Sequence, residues 1–390
     1  MDIKKEASAG QESKGDILVK VAPQENGLDI AITSSLGKLF YKQIAEAIES
    51  VANKYGIINA KISAIDDGAL DFVVRARTEA AIIRASQEIE KKFYTDKSEV
   101  NYKPRRSRLY LPGNNPYLFQ GISYYSADGI ILDLEDAVPP EEKDTARMLV
   151  SYALKNLDFG KSEKMVRINP LDICGTEDIE AVIQNKPDIL LIPKCESEYD
   201  IKKTVEQIEK FEKKYNINNH FVKIIPIIES AKGVNNASNI ALASERIVAL
   251  AFGAEDYTVS LGVSKTKGER ELLYAKQVIV NAAKGAGIQA SDTVYADIDD
   301  IEGLKTSTEN SKVLGFDGRG AIHPSQIEII HSVFNPDKKE IDKAKHIIDA
   351  FDKAKKEGLG VIKLNGKMID MPVVLRAMRI LKIAETNPEE

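Results

Sequence analysis

VKIIPIIES (Val222–Ser230) and IVALAFGAED (Ile247–Asp256) are two runs of apolar residues that each stop at a carboxylate. A short continuous apolar run bounded by polar residues reads as a strand buried on both faces. The same form recurs before them, in SRLYLP (Ser107–Pro112), GIILDLED (Gly129–Asp136), KMVRIN (Lys164–Asn169) and DILLIPK (Asp188–Lys194). It recurs after them in AGIQASDTV (Ala286–Val294) and LGFDGRGAIHP (Leu314–Pro324). Amphipathic stretches such as Ile201–Tyr215 and Glu269–Ala286 lie between and read as helices. Eight buried strands alternating with helices over about 220 residues predict a (β/α)8 barrel of the TIM type. A doubly wound open sheet competes with it, but no G-x-G-x-x-G follows the first strand.

The polar residues cluster where these strands end, the face on which such barrels place their chemistry. Glu135 and Asp136, Arg167, Lys194, Glu229, and Glu255 and Asp256 all stand there. One or two could cap the following helix, but so many charges at strand ends point to a shared site. Glu229 and Asp256 have no basic neighbour in sequence, and two converging carboxylates suit Mg2+, which prefers oxygen ligands and keeps several waters. Salt bridges to arginines of adjacent strands are the alternative for both. Zinc is disfavoured because the His and Cys sets it takes are absent: His323 sits at a strand end, whereas His220, His331 and His346 do not. Arg167 at a barrel mouth could clamp a carboxylate or oxoacid, or pair structurally with Glu135 or Asp136; those two acids could instead hold metal-bound waters. Arg108, read as lying beside the tight turn at Pro112-Gly113, suits a phosphate or thioester.

Composition bounds the rest. The 390 residues allow two or three domains, with 43% hydrophobic and 29% charged residues and a net charge of −6. Charges of both signs are mixed, and no basic stripe suggests nucleic acid. The start, MDIKKEASAGQESKGD, has no apolar signal region, and no window approaches the roughly 18 apolar residues of a membrane span. Cys174 and Cys195 lie outside any Cys-x-x-Cys spacing, are expected to be buried, and fit a reducing cytoplasm.

Four regions are expected: a small α+β unit over residues 1–92, a linker over 93–106, the barrel over 107–334, and a helical arm over 335–390 broken by GLGVIKLNGKMIDMP (Gly358–Pro372). In the first, Asp16–Pro23 and Leu28–Ser35 read as strands joined by a polar turn. A helix follows over Lys38–Lys54, with Leu39, Ile44, Ile48 and Val51 at helical spacing. Asn59–Ile65 and Leu70–Ala76 read as a second hairpin across Asp66-Asp67-Gly68, closed by a helix from about Thr78 to Lys92.

RRSRLYLPGNN, ILDLEDAV with EKDTAR, MVRIN, IPK, IIES, AFGAEDY, GIQASDTVYAD, LGFDGRGAIHPSQI and LGVIKLNGKMIDMPVV, in this order, resemble the β chain of citrate lyase. More widely they resemble the CoA-thioester lyases for malyl, methylmalyl and citramalyl groups. The resemblance implies a TIM barrel, Mg2+ held by Glu229 and Asp256, and Arg167 on the oxoacid. It implies that Asp370 enters a neighbouring subunit's site for proton transfer, which makes the C-terminal arm an oligomerising element, typically of a trimer. The implied reaction is retro-Claisen or retro-aldol cleavage to acetyl thioester and oxaloacetate or pyruvate.

AGQESKGDILVKVAP, ITSSLGKLF and DDGALDFVVRARTEAAIIRAS resemble the acyl carrier (γ) chain of citrate lyase. That likeness implies a serine bearing a phosphoribosyl-dephospho-CoA arm and an α-type transferase subunit that loads it. The family's serine position holds Lys14 here; Ser13, one residue early, is the remaining attachment point. A tether of about a dozen residues would keep the acyl group at high effective concentration near the barrel. The alternatives are a lyase or thioesterase acting on free malyl- or citramalyl-CoA, and a non-catalytic carrier and scaffold subunit.

Overall fold

The structure, a computed structural model, describes residues 2–37, 39–86, 103–217, 221–356, 362–364 and 367–386. The linker expected over 93–106 lies mostly outside the described residues, as do His220 and the last six residues of the helix expected to reach Lys92. The chain divides into two compact units, Met1–Lys97 and Ser98–Glu390.

The first unit contains β1 (Ala7–Ala9), β2 (Ile17–Ala22), β3 (Leu28–Ser34), α1 (Tyr41–Lys54), β4 (Ala60–Asp66) and α2 (Asp71–Ser86). Its sheet order is β1-β2-β4-β3, with β3 and β4 parallel and the other pairs antiparallel. The two expected hairpins are therefore corrected. β2 and β3 do not pair: β4 enters between them, because α1 is the crossover that brings β4 back parallel to β3. Leu70–Ala76 is not a strand: from Asp71 on it is the beginning of α2. Its β-branched residues yield to a helical pattern in which Val74, Thr78, Ala81, Ile82 and Ala85 are all buried, and Asp71 receives the Arg75 Nε–H at 2.7 Å one turn on. In α1, Ile44, Ala47, Ile48, Val51 and Ala52 form the buried stripe, while Leu39 precedes the helix and stays exposed.

The second unit alternates strands and helices. It runs β5 (Ser107–Pro112), β6 (Gly129–Asp133), α3 (Lys143–Asn156), β7 (Glu163–Arg167), α4 (Gly175–Ile183), β8 (Ile189–Ile192) and α5 (Glu198–Lys214). It continues with β9 (Lys223–Ile228), α6 (Ala231–Asn235), α7 (Ala237–Ala241), β10 (Ala249–Phe252), α8 (Ala254–Leu261) and α9 (Leu273–Gly285). Then come β11 (Gln289–Asp292), α10 (Ile301–Leu314), β12 (Gly318–Ala321) and α11 (Ser325–Phe334). The eight strands close into one parallel barrel, β12 pairing with β5. Alternate residues face two cores: Ile130, Leu132, Val166 and Leu190 pack outward under the helices, whereas Ile131, Met165, Ile189, Leu191, Ile225 and Ile227 fill the interior. Cys195 is buried, but Cys174, at the start of α4, is only half-buried; it sits in a strand-end loop, where solvent reaches it.

The arm consists of α12 (Lys338–Lys356), the short antiparallel strands β13 (Ile362–Leu364) and β14 (Lys367–Ile369), and α13 (Met371–Thr386). The antiparallel pairing of β13 with β14 is not among the expectations from sequence. Ala344, Ile347, Phe351, Ile369, Val374 and Ala377 join the two helices around a core of their own.

Candidate active site

RRSR divides its arginines between the start of the barrel strands and the barrel interior. Arg105 grips Glu163 through Nε at 2.6 Å, and Arg106 holds Asp128 through Nε at 2.8 Å and Nη2 at 2.7 Å. These pairs lie where the strands begin, the face of a barrel concerned with stability. Arg108 is inside. It does not flank the turn at Gly113, as expected: strand alternation turns Arg108, Tyr110 and Pro112 into the interior, where all three line a cavity of about 520 Å3.

At the opposite ends of the strands this cavity opens among charged side chains. Arg167, the last residue of β7, donates from Nε and Nη2 to Asp133 at 2.7 and 2.6 Å. Its Nη1 lies 2.8 Å from Glu135 and 3.5 Å from Asp136. Burial opposes the Arg167 charge, but the Asp133 hydrogen bonds outweigh it and hold the guanidinium well above its ordinary pKa. Its Cζ also stands 5.3 Å from the centre of the Tyr110 ring. Both readings left open for Arg167 are thus present in one residue, a structural pair and a mouth-facing cation. Its principal partner, Asp133, was not singled out from sequence. The signal was there, since alternation along ILDLED places Asp133 on the inward face with Ile131.

Lys194 follows β8 with a φ of +52°, a left-handed conformation rare for lysine. Its Nζ stands 2.8 Å from Glu135, 3.6 Å from Asp136 and 3.6 Å from Asp256. Burial works against its charge, but the Glu135 hydrogen bond and the surrounding acids push the ammonium pKa up. Asp256 has no basic neighbour in sequence, yet a lysine remote in sequence reaches it across the barrel mouth.

Glu229 follows β9, is only 6% exposed, and accepts the Lys194 backbone N–H at 2.6 Å. Burial, then the charge of Glu135, pushes its carboxyl up to about 8. A Cβ on Gly253 would come within 2.6 Å of Glu229 Oε2, so only glycine lets β10 pass the carboxylate so closely. Burial likewise raises Glu135, against the pull of Arg167. Asp256, in the first turn of α8, is more exposed and lines the same cavity.

The remaining candidates lie elsewhere. His323 is exposed and bonded to Ser325, and His331 bonds Ser107 Oγ at 2.7 Å. Asp370 lies at the start of α13, where its carbonyl accepts from Val373 and Val374, and it does not line this chain's cavity. Ser13 is exposed in a turn, its carbonyl accepting from Asp16 N–H at 2.9 Å.

Carboxylates therefore supply the only metal-ligand chemistry among the described residues at this mouth. No three acidic, histidine or cysteine side chains converge there at ligand distance among the described residues. Two carboxylates completed by water nevertheless satisfy Mg2+. The fit rests on Glu229, a buried acid whose protein partner is a neutral N–H, and on the Lys194 ammonium, a cation already seated among Glu135, Asp136 and Asp256.

Sequence and structure comparisons agree with this architecture. A family model described as HpcH/HpaI aldolase/citrate lyase matches residues 106–324. An acyl carrier model described as malonate decarboxylase delta subunit matches residues 4–85. The citrate lyase subunit beta of Leuconostoc mesenteroides subsp. cremoris is 43% identical over 288 residues, covering 74% of this chain and 95% of the relative. The human mitochondrial citramalyl-CoA lyase is 32% identical over 337 residues, covering 81% of this chain and 97% of the relative. The crystal structure of Mycobacterium tuberculosis CitE with magnesium, acetoacetate and coenzyme A superposes with a TM-score of 0.60 at 28% identity, covering 72% of this chain and 98% of that one.

Proposed function

The chain belongs to the HpcH/HpaI aldolase/citrate lyase family, fused to an acyl-carrier-like N-terminal unit, and from this premise we propose how its site works. It is a carbon–carbon lyase. Its substrate is a citryl- or citramalyl-type thioester, which it splits into acetyl thioester and oxaloacetate or pyruvate. The observation that supports this reading most directly is the convergence of Arg167, Lys194, Glu135, Glu229 and Asp256 on one mouth of the 520 Å3 cavity.

Arg167, held in place by Asp133, binds the oxygens of the oxoacid half and favours negative charge on the oxygen that becomes the keto group. Glu135, whose proton affinity is raised by burial, takes the substrate's hydroxyl proton, and Lys194 steadies the charge on Glu135. The C–C bond then breaks, its electrons pass to the thioester as an enolate, and a proton from Asp370 of an adjoining subunit completes the acetyl group. Glu229 and Asp256 would hold Mg2+, an ion present in the M. tuberculosis complex, and the ion would supply Lewis acidity toward the substrate's oxygens. Asp136, exposed beside them, would orient waters around the ion.

The acyl group rides on a phosphoribosyl-dephospho-CoA arm at Ser13, loaded by an α-type transferase subunit. What supports Ser13 is its exposure and the carrier likeness of residues 4–85. A second reading, cleavage of free CoA thioesters, is favoured by Lys14 at the family's serine position and by the likeness to citramalyl-CoA lyase.

Asp256→Asn separates the enzyme from a scaffold. Cleavage of citryl- and citramalyl-thioester should fall by roughly 100-fold or more on loss of one metal ligand, and EDTA should abolish wild-type cleavage until Mg2+ is restored. A variant as active as the wild type, or cleavage indifferent to EDTA, would refute the two-carboxylate site.

A further inference from the structure

Arg108 is 2% exposed, and neither its Nε nor its Nη1 has a hydrogen-bond partner among the described residues. In strand register Arg108 lies between Gly129 on β6 and Gly320 on β12, so both flanking positions lack side chains. A Cβ on Gly129 would collide with the Met165 side chain and meet Arg108 Cγ at 3.5 Å, an ordinary contact, and one on Gly320 would come within 2.7 Å of Val294 Cγ1 and 3.2 Å of the Tyr110 ring. The interior is bulky along β6 to β9, with Ile131, Met165, Leu191 and Ile227. Beyond them, Ala251 and Gly320 leave the cavity open down to Arg108.

Burial draws the guanidinium pKa down to about 10, yet it remains a cation at neutral pH with no carboxylate at salt-bridge distance among the described residues. An unpaired buried charge is among the costliest features a core can hold, and it is relieved by an anion entering from the cavity. Arg108 stands two residues before Tyr110, about 6–7 Å deeper along the strand, and Arg167 lies 5.3 Å from the centre of that ring. The cavity therefore offers one guanidinium at its mouth and a second below it.

We propose that Arg108 is the receptor for a second carboxylate on the oxoacid half of the substrate, so that the barrel selects a hydroxyacyl thioester whose cleavage releases a dicarboxylate oxoacid. This selectivity rests on the lyase reading above and names its substrate class. A bidentate guanidinium–carboxylate contact at the cavity floor discriminates strongly, because a methyl group in that place leaves the charge unpaired.

The test uses the full chain with Mg2+ and compares citryl-CoA with citramalyl-CoA as substrates. Wild type should favour citryl-CoA in kcat/KM, and Arg108→Met should lower that ratio by roughly 10–100-fold, the worth of one charge-assisted pair. Arg108→Lys should recover part of it. Because Arg108→Met removes an unpaired buried charge, its Tm should equal or exceed that of the wild type. A lowered Tm with both substrates slowed equally would instead mark a structural role and overturn the proposal. Calorimetric titration with oxaloacetate and with pyruvate gives a readout free of turnover: the wild type should bind oxaloacetate more tightly, and Arg108→Met should erase the difference. Oxaloacetate binding through Arg108 without cleavage of either thioester would sink the lyase reading alone. Cleavage of both with a ratio unmoved by Arg108→Met would sink this one alone.

Discussion

Among single residues, Arg167, Lys194 and Arg246 show how differently charges of one sign can serve. Arg246 is fully buried, yet Glu212 meets it at 2.6 and 3.0 Å and the Val222 carbonyl at 3.0 Å, a closed structural pair. Arg167 is also paired but lines the cavity, and Lys194 pairs with Glu135 while nearly half of its side chain stays exposed. His331 carries a prediction of its own. Burial is the main cause lowering its pKa from 6.5 to about 4, and it is hydrogen-bonded to Ser107 at the start of β5. The unfolded chain therefore takes up this proton before the folded chain does. The resulting stability is present above pH 6.5 and is lost as pH falls toward 4. Between pH 7.5 and 5.0 this one group should cost the barrel about 2 kcal/mol. Urea unfolding of wild type and His331→Gln at both pH values should show a smaller acid loss in the variant by about that amount; equal losses would disprove it.

Single elements place these residues, and the junction of β10 with α8 is the most constrained of them. Gly253 connects the two, and a Cβ there would stand 2.6 Å from Glu229 Oε2 and 2.7 Å from Glu229 Cβ. Gly253→Ala must displace a buried carboxylate or the strand beside it. The expected cost is about 1–3 kcal/mol of stability, typical of overpacking, with a clear rise in the Mg2+ concentration that half-activates cleavage. A Mg2+ titration of the variant identical to that of the wild type would show that Glu229 is not held for the metal. Helix α2 teaches the complementary lesson. Leu-Asp-Phe-Val-Val has strand propensity, but the helix buries Val74, Ala81, Ile82 and Ala85 together, which a half-exposed edge strand could not do.

For the whole molecule, catalysis by neighbouring subunits is the prediction to test. Asp370 does not line the cavity of its own chain, so a site completed by an adjoining subunit needs one intact copy of each part. Asp256→Asn and Asp370→Asn subunits, each nearly inactive alone, should regain up to roughly a quarter of wild-type activity when dissociated and reassembled together, if sites assort at random. No recovery on mixing would place the proton donor within one chain. Separately, intact mass of the protein from its native host should show the phosphoribosyl-dephospho-CoA arm on Ser13. An unmodified Gly10–Asp16 peptide would favour free CoA thioesters.

Much of this was legible in the chain itself. Short runs, most of them apolar and followed by a polar stop, marked the strands, though β11 (QASD) and β12 (GRGA) are not apolar, and alternation with helices pointed to a parallel barrel. Strand ends likewise located Arg167, Lys194, Glu229 and Asp256, because apolar runs that end in charge are a local pattern. Pairing was not local. That β4 enters between β2 and β3, that Asp133 is the chief partner of Arg167, and that Lys194 reaches Asp256 depend on residues dozens of positions apart meeting across a sheet or barrel. Arg108 is the clearest case. Its sequence neighbourhood suggests an arginine beside a turn. Only barrel closure sets it between two glycines of different strands and leaves a buried cation facing a cavity, since register and burial are properties of the assembled sheet rather than of the residues along it.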